Sequence, residues 1–222
     1  MRRIMCAVVA AVSVAGSQAD AAIVVSAGGI TDPTNFVSFT TLPSPHMLSN
    51  TAFIEDGVSV THVGSGTIIG ALPFGDGPSF YPNGGGIGYT SIKLVSGLAF
   101  EGIQFEAVSG SGQTPNLVYS LLLNGSVVAT GSAGALPIFS SSTPRTIALT
   151  GDAGETFDEV RLATGAGDVF SLNGPNYLNI DSIALGSLSA VPEPAGWAMF
   201  IGGFGMIGGA MRRRQRISVR YA

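Results

Sequence analysis

The sequence is poor in side chains that carry out chemistry. Its 222 residues include one cysteine, Cys6, and two histidines, His46 and His62. A lone cysteine cannot form an internal disulfide, and no HxH or HExxH spacing of zinc ligands occurs. No GxSxG nucleophile motif occurs either. We therefore expect no catalytic residue and no enzyme, and we interpret both histidines as structural or surface residues.

Charge is also scarce, at 11% of residues, and it is unevenly placed. Between residues 22 and 191, only Lys93, Arg145 and Arg161 oppose twelve carboxylates, which gives a net charge of −9. Such a segment repels phosphate backbones, so we expect no nucleic-acid partner. The other seven arginines lie near the two ends of the chain: Arg2, Arg3, Arg212, Arg213, Arg214, Arg216 and Arg220.

The first 21 residues are typical of a secretory signal peptide. Two arginines precede the apolar run Ile4–Gly16, which is too short to span a bilayer comfortably. Ala19 and Ala21 place small residues where signal peptidase reads them, so we expect cleavage after Ala21, with Ala19 or Ala22 as alternatives. An uncleaved anchor is the competing interpretation. In either case the following segment leaves the cytoplasm.

Residues 22–189 show the pattern of an all-β domain. Glycine is abundant, at 32 residues, and it supplies the positive φ angles of tight turns. Short stretches of alternating apolar residues predict about ten strands, and no helical period of useful length appears. We therefore predict an antiparallel β-sandwich or jelly roll.

Two local signals sharpen this prediction. Asn124-Gly125 separates two strand-like runs, 118–123 and 126–130, and favours a type I′ hairpin turn. Near Asp181-Ser182 the apolar positions change from even to odd numbers. Either one residue bulges there or two short strands meet. Between Gly70 and Gly88 we expect a long loop rich in glycine and proline.

Oxygen-rich loops suggest a possible calcium site. Hard oxygen ligands on loops suit Ca²⁺, but Asp and Asn are also ordinary turn residues. Structural turns are the competing interpretation, and we expect no other cofactor. The candidate ligands are Asp152, Glu155, Asp158 and Asp181, with Asp168, Asn173 and Asn176 beside them.

Two further features bear on carbohydrate chemistry. Phe74, Phe80, Tyr81 and Tyr89 border the long loop and could form a sugar-stacking platform or fill the core. Pairs of carboxylates could act as a glycosidase if they lay about 5–10 Å apart. The candidate pairs are Glu101 with Glu106, and Asp158 with Glu159.

The segment Val191–Arg216 differs in composition from everything before it. It begins with Val-Pro-Glu-Pro-Ala-Gly-Trp-Ala at residues 191–198. The 17 residues Ala195–Met211 carry no charge and would span about 25 Å as a helix, slightly less than a bilayer core. We predict a single transmembrane helix there, with the arginines at 212–216 on the cytoplasmic side. Its GxxxG pair, Gly205 and Gly209, either docks another membrane protein or only permits close contact.

This tail resembles the PEP-CTERM sorting signal, in the PEPxxWA variety of Gram-negative bacteria. The resemblance rests on Pro192, Glu193, Pro194, Trp197 and Ala198, followed by the apolar helix and the arginine cluster, within residues 190–216. The same motif has been catalogued as an "ice-binding protein C-terminal" domain, a label that describes the tail alone.

The resemblance implies a route rather than an activity. Such proteins are held briefly in the inner membrane, and an exosortase, a membrane-embedded cysteine protease, is thought to cut near Pro-Glu-Pro. The product joins the cell surface or the extracellular polysaccharide matrix of a biofilm. A plain membrane anchor is the alternative. For residues 22–189 we expect a non-catalytic domain, with carbohydrate as a candidate ligand. A glycosidase-like enzyme and a purely structural envelope protein are the alternatives.

Overall fold

The computed structural model describes residues 23–30, 32–43, 46–69, 78–82, 86–139, 143–165, 167 and 169–186. The predicted signal peptide with its cleavage residues, the sorting motif, the transmembrane helix and the arginine cluster lie outside these residues, as do Phe74 and Asp168. Within the described ranges, no helix is long and apolar enough to cross a membrane.

The described residues form strands, as the alternating apolar pattern predicted. The one helix among them is a single 3₁₀ turn at Asp152–Gly154. The strands are β1 (Ile23–Ser26), β2 (Asn35–Val37), β3 (His46–Leu48), β4 (Ala52–Glu55), β5 (Val58–Gly64), β6 (Thr67–Ile69), β7 (Tyr81–Pro82), β8 (Gly86–Leu94), β9 (Gly102–Ser109), β10 (Asn116–Leu123), β11 (Ser126–Ala135), β12 (Arg145–Gly151), β13 (Glu159–Gly165), β14 (Pro175–Asn176) and β15 (Leu178–Gly186).

Two antiparallel sheets face each other across one apolar core. The five-stranded sheet has the order β1-β12-β9-β15-β2. The seven-stranded sheet has the order β11-β10-β13-β8-β5-β4, with β14 beside β8. Both contribute alternate side chains to the same cluster, for example Phe105 and Ile147 from the first and Ile92 and Val160 from the second. The prediction of an antiparallel all-β domain is therefore confirmed. A third, small sheet has the order β3-β6-β7.

The Asn-Gly turn forms as the sequence predicted. Leu123 and Ser126 are register partners, so the loop between β10 and β11 has two residues. Both have positive φ, 52° at Asn124 and 77° at Gly125. Positive φ at both central positions is the mark of a type I′ turn, whose twist matches that of the strands.

The phase change in the last strand is a bulge within one strand. The register of β15 against β9 shifts between Asp181 and Ala184, and Ser182 has a φ of 51°. Ile180 and Ile183 can therefore both point into the core, where neither is exposed. Of the two alternatives that the sequence left open, the structure shows the bulge.

The Gly70–Gly88 loop is shorter than predicted, and this is a correction. β7 lies within it, and β8 already begins at Gly86. Pro82 can take part because β7 is the edge strand of the small sheet, where a missing N–H is tolerated.

At the end of β5, residue 64 must be glycine. A Cβ at this position would collide with the backbone carbonyl of Ile87.

The two ends of the sandwich are distinct. Val24, Thr150, Gly102 and Gly186 are successive register partners across β1, β12, β9 and β15. The chain thus enters β1 and leaves β15 at the same end, about 14 Å apart at the usual strand spacing. We call this the tether end. The distal end lies about seven residues along β9, or roughly 23 Å away.

Candidate functional site

A cleft of about 570 Å³ opens at the distal end. It lies where β9 and β13 end and where β10 and β15 begin. Its volume falls within the range of small-molecule sites, roughly 300–1,000 Å³. The described residues that line it are Gln113, Thr114, Pro115, Thr164, Gly165, Val169, Ser171, Gly174, Pro175 and Tyr177.

Thr164 fixes the wall of the cleft. Its hydroxyl donates to the carbonyl oxygen of Pro175 at 3.1 Å and accepts from the backbone N–H of Tyr177 at 2.8 Å. On the other side, the N–H of Gly110 donates to the carbonyl oxygen of Tyr177 at 2.8 Å. The backbone of Tyr177 is thus held on both sides, and this half-buried residue is part of the cleft lining.

The lining combines apolar surface with a few polar groups and carries no charge among the described residues. Gln113 offers an amide, Thr114 and Ser171 offer hydroxyls, and Tyr177 offers a ring with a phenolic hydroxyl. None of the described lining residues is a carboxylate, histidine, lysine or arginine. Such a surface can donate and accept hydrogen bonds and can stack against a ring.

Beside the cleft lies a charged cluster on the outer face of the seven-stranded sheet. Arg161 on β13 makes two hydrogen bonds to Glu159, from Nε at 2.8 Å and from Nη2 at 3.1 Å. Ser91 on β8 donates to the same carboxylate at 2.7 Å. The guanidinium lies 5.1 Å from the ring centroid of Tyr89, and Phe170 packs edge-on against that ring at 5.9 Å. Phe170 connects this cluster to the cleft, because its two neighbours in the chain, Val169 and Ser171, line the cleft.

The hydrogen bonds within this cluster favour the ionised forms of Glu159 and Arg161. Burial disfavours ionisation of Glu159, but the hydrogen bonds from Arg161 and Ser91 outweigh it, so the pKa of Glu159 lies below its usual value. The hydrogen bond to Glu159 raises the pKa of Arg161 despite its partial burial. The cluster is therefore a fixed ion pair that holds Tyr89 in place.

Of the four aromatic residues considered as a sugar platform, the three that the structure describes do not share an exposed surface. Phe80 is in the core, 5.7 Å from the ring of Phe39. Tyr81 is 5% exposed and donates its hydroxyl to the carbonyl oxygen of Gly110 at 3.1 Å. Only Tyr89 lies on an outer face, and Phe74 is outside the described residues. Of the two alternatives that the sequence left open, Phe80 and Tyr81 therefore fit the core.

The aromatic residue that does line the cleft, Tyr177, was missed. It lies in a run rich in Ser, Gly, Asn and Pro between β13 and β15. A single aromatic residue in a polar loop that follows a strand could have indicated this role. The Asp and Asn residues of the same loop were considered as calcium ligands instead, and the tyrosine was overlooked.

The candidate calcium ligands do not converge. Asp158 Oδ2 accepts from the backbone N–H of Asn124 at 2.7 Å, at the tether end, where Asp152 and Glu155 also lie. Asp181 is five residues away from that end along β15, about 16 Å, and its Oδ1 accepts from the N–H of Ser182. No group of three His, Cys, Asp or Glu side chains in the described ranges could hold a metal ion.

The two asparagines proposed beside that site have structural positions: Asn173 lies in a turn and Asn176 in the core. Asn176 is fully buried, with its amide donating to the hydroxyl of Thr90 and accepting from the N–H of Leu178. Asn173 is exposed, and its N–H donates to the hydroxyl of Ser171. The competing interpretation as structural residues therefore fits both positions.

The proposed pairs of catalytic carboxylates are not supported. Glu101 and Glu106 are five residues apart along the start of β9, about 16 Å, too far to flank one glycosidic bond. In the second pair, Asp158 caps the hairpin turn and Glu159 is bonded to Arg161 and Ser91. Both members already have structural roles.

His62 is a structural histidine, as predicted. It is fully buried on β5, and its Nε2 lies 3.2 Å from the carbonyl oxygen of Ser65. Burial lowers the pKa of its imidazole below the ordinary value. His46 begins β3.

Comparison with known proteins gives one decisive match. No curated protein matches the sequence. A solved structure of a mutant of CBM29-2, a family 29 carbohydrate binding module, matches 78% of this chain and 98% of its own, with a TM-score of 0.35 and 15% identity. That similarity is too low to support an argument about function. The model of the PEP-CTERM protein-sorting motif matches residues 190–215. The chain is therefore an exported protein that carries a PEP-CTERM protein-sorting motif.

Proposed function

We propose that this exported protein is a non-catalytic glycan-binding protein, released by an exosortase to the cell surface or the extracellular polysaccharide matrix. The observation that carries the glycan assignment is the uncharged cleft around Tyr177. Its place at the distal end, opposite the point where the chain leaves Gly186, supports the same assignment, because the cleft then faces away from the membrane.

The chemistry of the cleft suits a sugar. A pyranose presents hydroxyls around its rim, which amide and hydroxyl side chains such as Gln113, Thr114 and Ser171 can bind in either direction. It also presents a flat apolar face, which an aromatic ring such as that of Tyr177 can cover. A charged ligand would find no counter-ion among the described lining residues.

The sorting residues act as a recognition signal for a protease supplied by the cell. In this proposal Pro192, Glu193, Pro194, Trp197 and Ala198 are read by the exosortase. The arginines keep the carboxyl-terminal end cytoplasmic by the positive-inside rule; they are Arg212, Arg213, Arg214 and Arg216. The membrane serves as a temporary anchor, and signal peptidase removes residues 1–21.

A glycan array tests the binding assignment. The chain without its signal peptide and sorting segment should bind a subset of neutral oligosaccharides and leave them uncut. Absence of binding to every glycan would contradict the assignment and favour a structural envelope role. Cleavage of a bound glycan would favour the enzyme alternative.

Substitution of Pro192, Glu193 and Pro194 by alanine tests the sorting assignment. Full-length protein should then accumulate in the inner membrane, as shown by fractionation and immunoblotting. Normal shortening and release of the variant would overturn the exosortase route.

A further inference from the structure

The tether end of the sandwich must come close to the processing protease. β15 ends at Gly186, and Pro192 follows six residues later. Even a fully extended chain of six residues spans only about 20 Å. While Pro192 is held in a protease site, Gly186 therefore lies within that distance of it, and Gly102, one strand spacing from Gly186, lies within about 25 Å.

The β8–β9 loop, residues 95–101, exposes two large apolar side chains at this end. Val95 is 58% exposed and Leu98 is 67% exposed. The loop is anchored at both sides: the N–H of Val95 donates to the carbonyl oxygen of Gly57 at 2.8 Å, and Phe100 packs on Phe157 at 4.9 Å. Leu98 is four residues from Gly102, the register partner of Gly186. Val95 and Leu98 are therefore exposed to solvent on an anchored loop, close to Gly186, where the chain leaves β15.

We propose that this loop is a docking contact for the membrane-embedded protease that cuts the sorting segment, with Leu98 and Val95 packing on an apolar surface of that enzyme. The proposal rests on the exosortase route proposed above. Burial of one such side chain in an interface strengthens binding without altering the recognised motif.

The charges of the tether end favour a protein partner over the lipid surface. Its loops carry several carboxylates, and like charges repel anionic headgroups at close range. These carboxylates are Asp32, Asp56, Glu101, Asp152, Glu155 and Asp158. Lipid insertion of the loop would bring them against the headgroups, whereas an apolar protein surface imposes no such cost.

The test is the rate at which the full-length chain is cut in cells that hold the cognate exosortase, followed by pulse-chase. Leu98→Ser should slow cutting by roughly fivefold, the effect of losing one useful interface side chain. Leu48→Ser is the matched control, because Leu48 is 70% exposed and lies by the distal end of β5. It should be cut at the normal rate.

The possible outcomes separate this inference from the sorting proposal. If wild-type chain is never cut, both fail. If wild-type chain is cut and Leu98→Ser is cut equally fast, only the docking contact is wrong. Equal slowing of Leu98→Ser and Leu48→Ser would also overturn it, as would binding of the wild-type chain to anionic phosphatidylglycerol vesicles that is lost in Leu98→Ser.

Discussion

The carboxylate of Asp158 accepts a hydrogen bond from the backbone N–H of Asn124 at 2.7 Å. This bond fastens the loop between β12 and β13 to the β10–β11 hairpin, at the first residue of its turn. The backbone also joins the two, since the N–H of Asp158 donates to the carbonyl oxygen of Leu122. A residue that resembles a metal ligand in the sequence therefore links the β10–β11 hairpin to the loop that precedes β13.

Asp158→Ala should lower the free energy of unfolding by about 1–2 kcal/mol, because a backbone N–H loses a charged acceptor. Urea denaturation at neutral pH measures this change. Asp152→Ala removes an exposed carboxylate from the same loop and should cost less than about 0.5 kcal/mol. Equal losses in the two variants would show that the clamp contributes nothing specific.

His62 should make the domain less stable in mild acid. Its pKa in the folded protein is lowered by burial from the ordinary value of 6.5. The unfolded chain therefore binds a proton more readily, so stability is complete above about pH 6.5 and falls as the pH drops below it. For one group the slope is at most about 1.4 kcal/mol per pH unit.

Unfolding measured between pH 7.5 and pH 5.5 checks this effect. His62→Gln should remove most of the slope, whereas His46→Gln, at the other histidine of the chain, should keep it. A slope that survives in His62→Gln would assign the acid sensitivity to other groups.

The local part of this fold could be predicted from sequence, and the cleft could not. The Asn124-Gly125 turn and the bulge at Ser182 depend on residues that are neighbours in the chain, so their chemistry is visible directly. The cleft joins Gln113 to Tyr177, which are 64 positions apart and meet only through strand pairing. The sorting motif was recognisable because all of its parts are contiguous.

The same contrast explains why the sequence left alternatives open. Asp152 and Asp181 were grouped because both lie in or beside polar loops, but Asp181 is on β15, about 16 Å along that strand from the end where Asp152 lies. Phe80 and Tyr81 were placed beside a loop, although an isolated bridge between Phe80 and Ile180 draws that segment into the core. Composition reveals which residues are polar or apolar, whereas register decides which of them meet.

Arg161→Gln should destabilise the domain by about 1 kcal/mol, a modest value because both partners are partly exposed. Without the guanidinium, the pKa of Glu159 should rise. The wild-type pKa is depressed, so this contribution is present above the ordinary carboxylate range and disappears as the pH falls below it.

The difference in unfolding free energy between wild type and Arg161→Gln should therefore shrink between pH 7 and pH 3. Lys93→Gln is the comparison: Lys93 is an exposed cation opposite Glu159 on the neighbouring strand and lowers the pKa of Glu159 less than Arg161 does, so its loss should cost less. A comparable loss in that variant would mean that net charge, rather than the ion pair with Glu159, determines the stability.

The central claim, that the distal cleft binds glycan, is tested most directly by calorimetric titration of the Tyr177→Ala variant with an oligosaccharide selected on the array. The backbone bonds of residue 177 to Thr164 and Gly110 remain possible in this variant, so the fold should persist. We predict at least roughly fivefold weaker binding, because ring stacking contributes about 1–3 kcal/mol. Phe36→Ala, an exposed ring at the tether end, should bind like wild type. Undiminished binding by Tyr177→Ala would contradict the account.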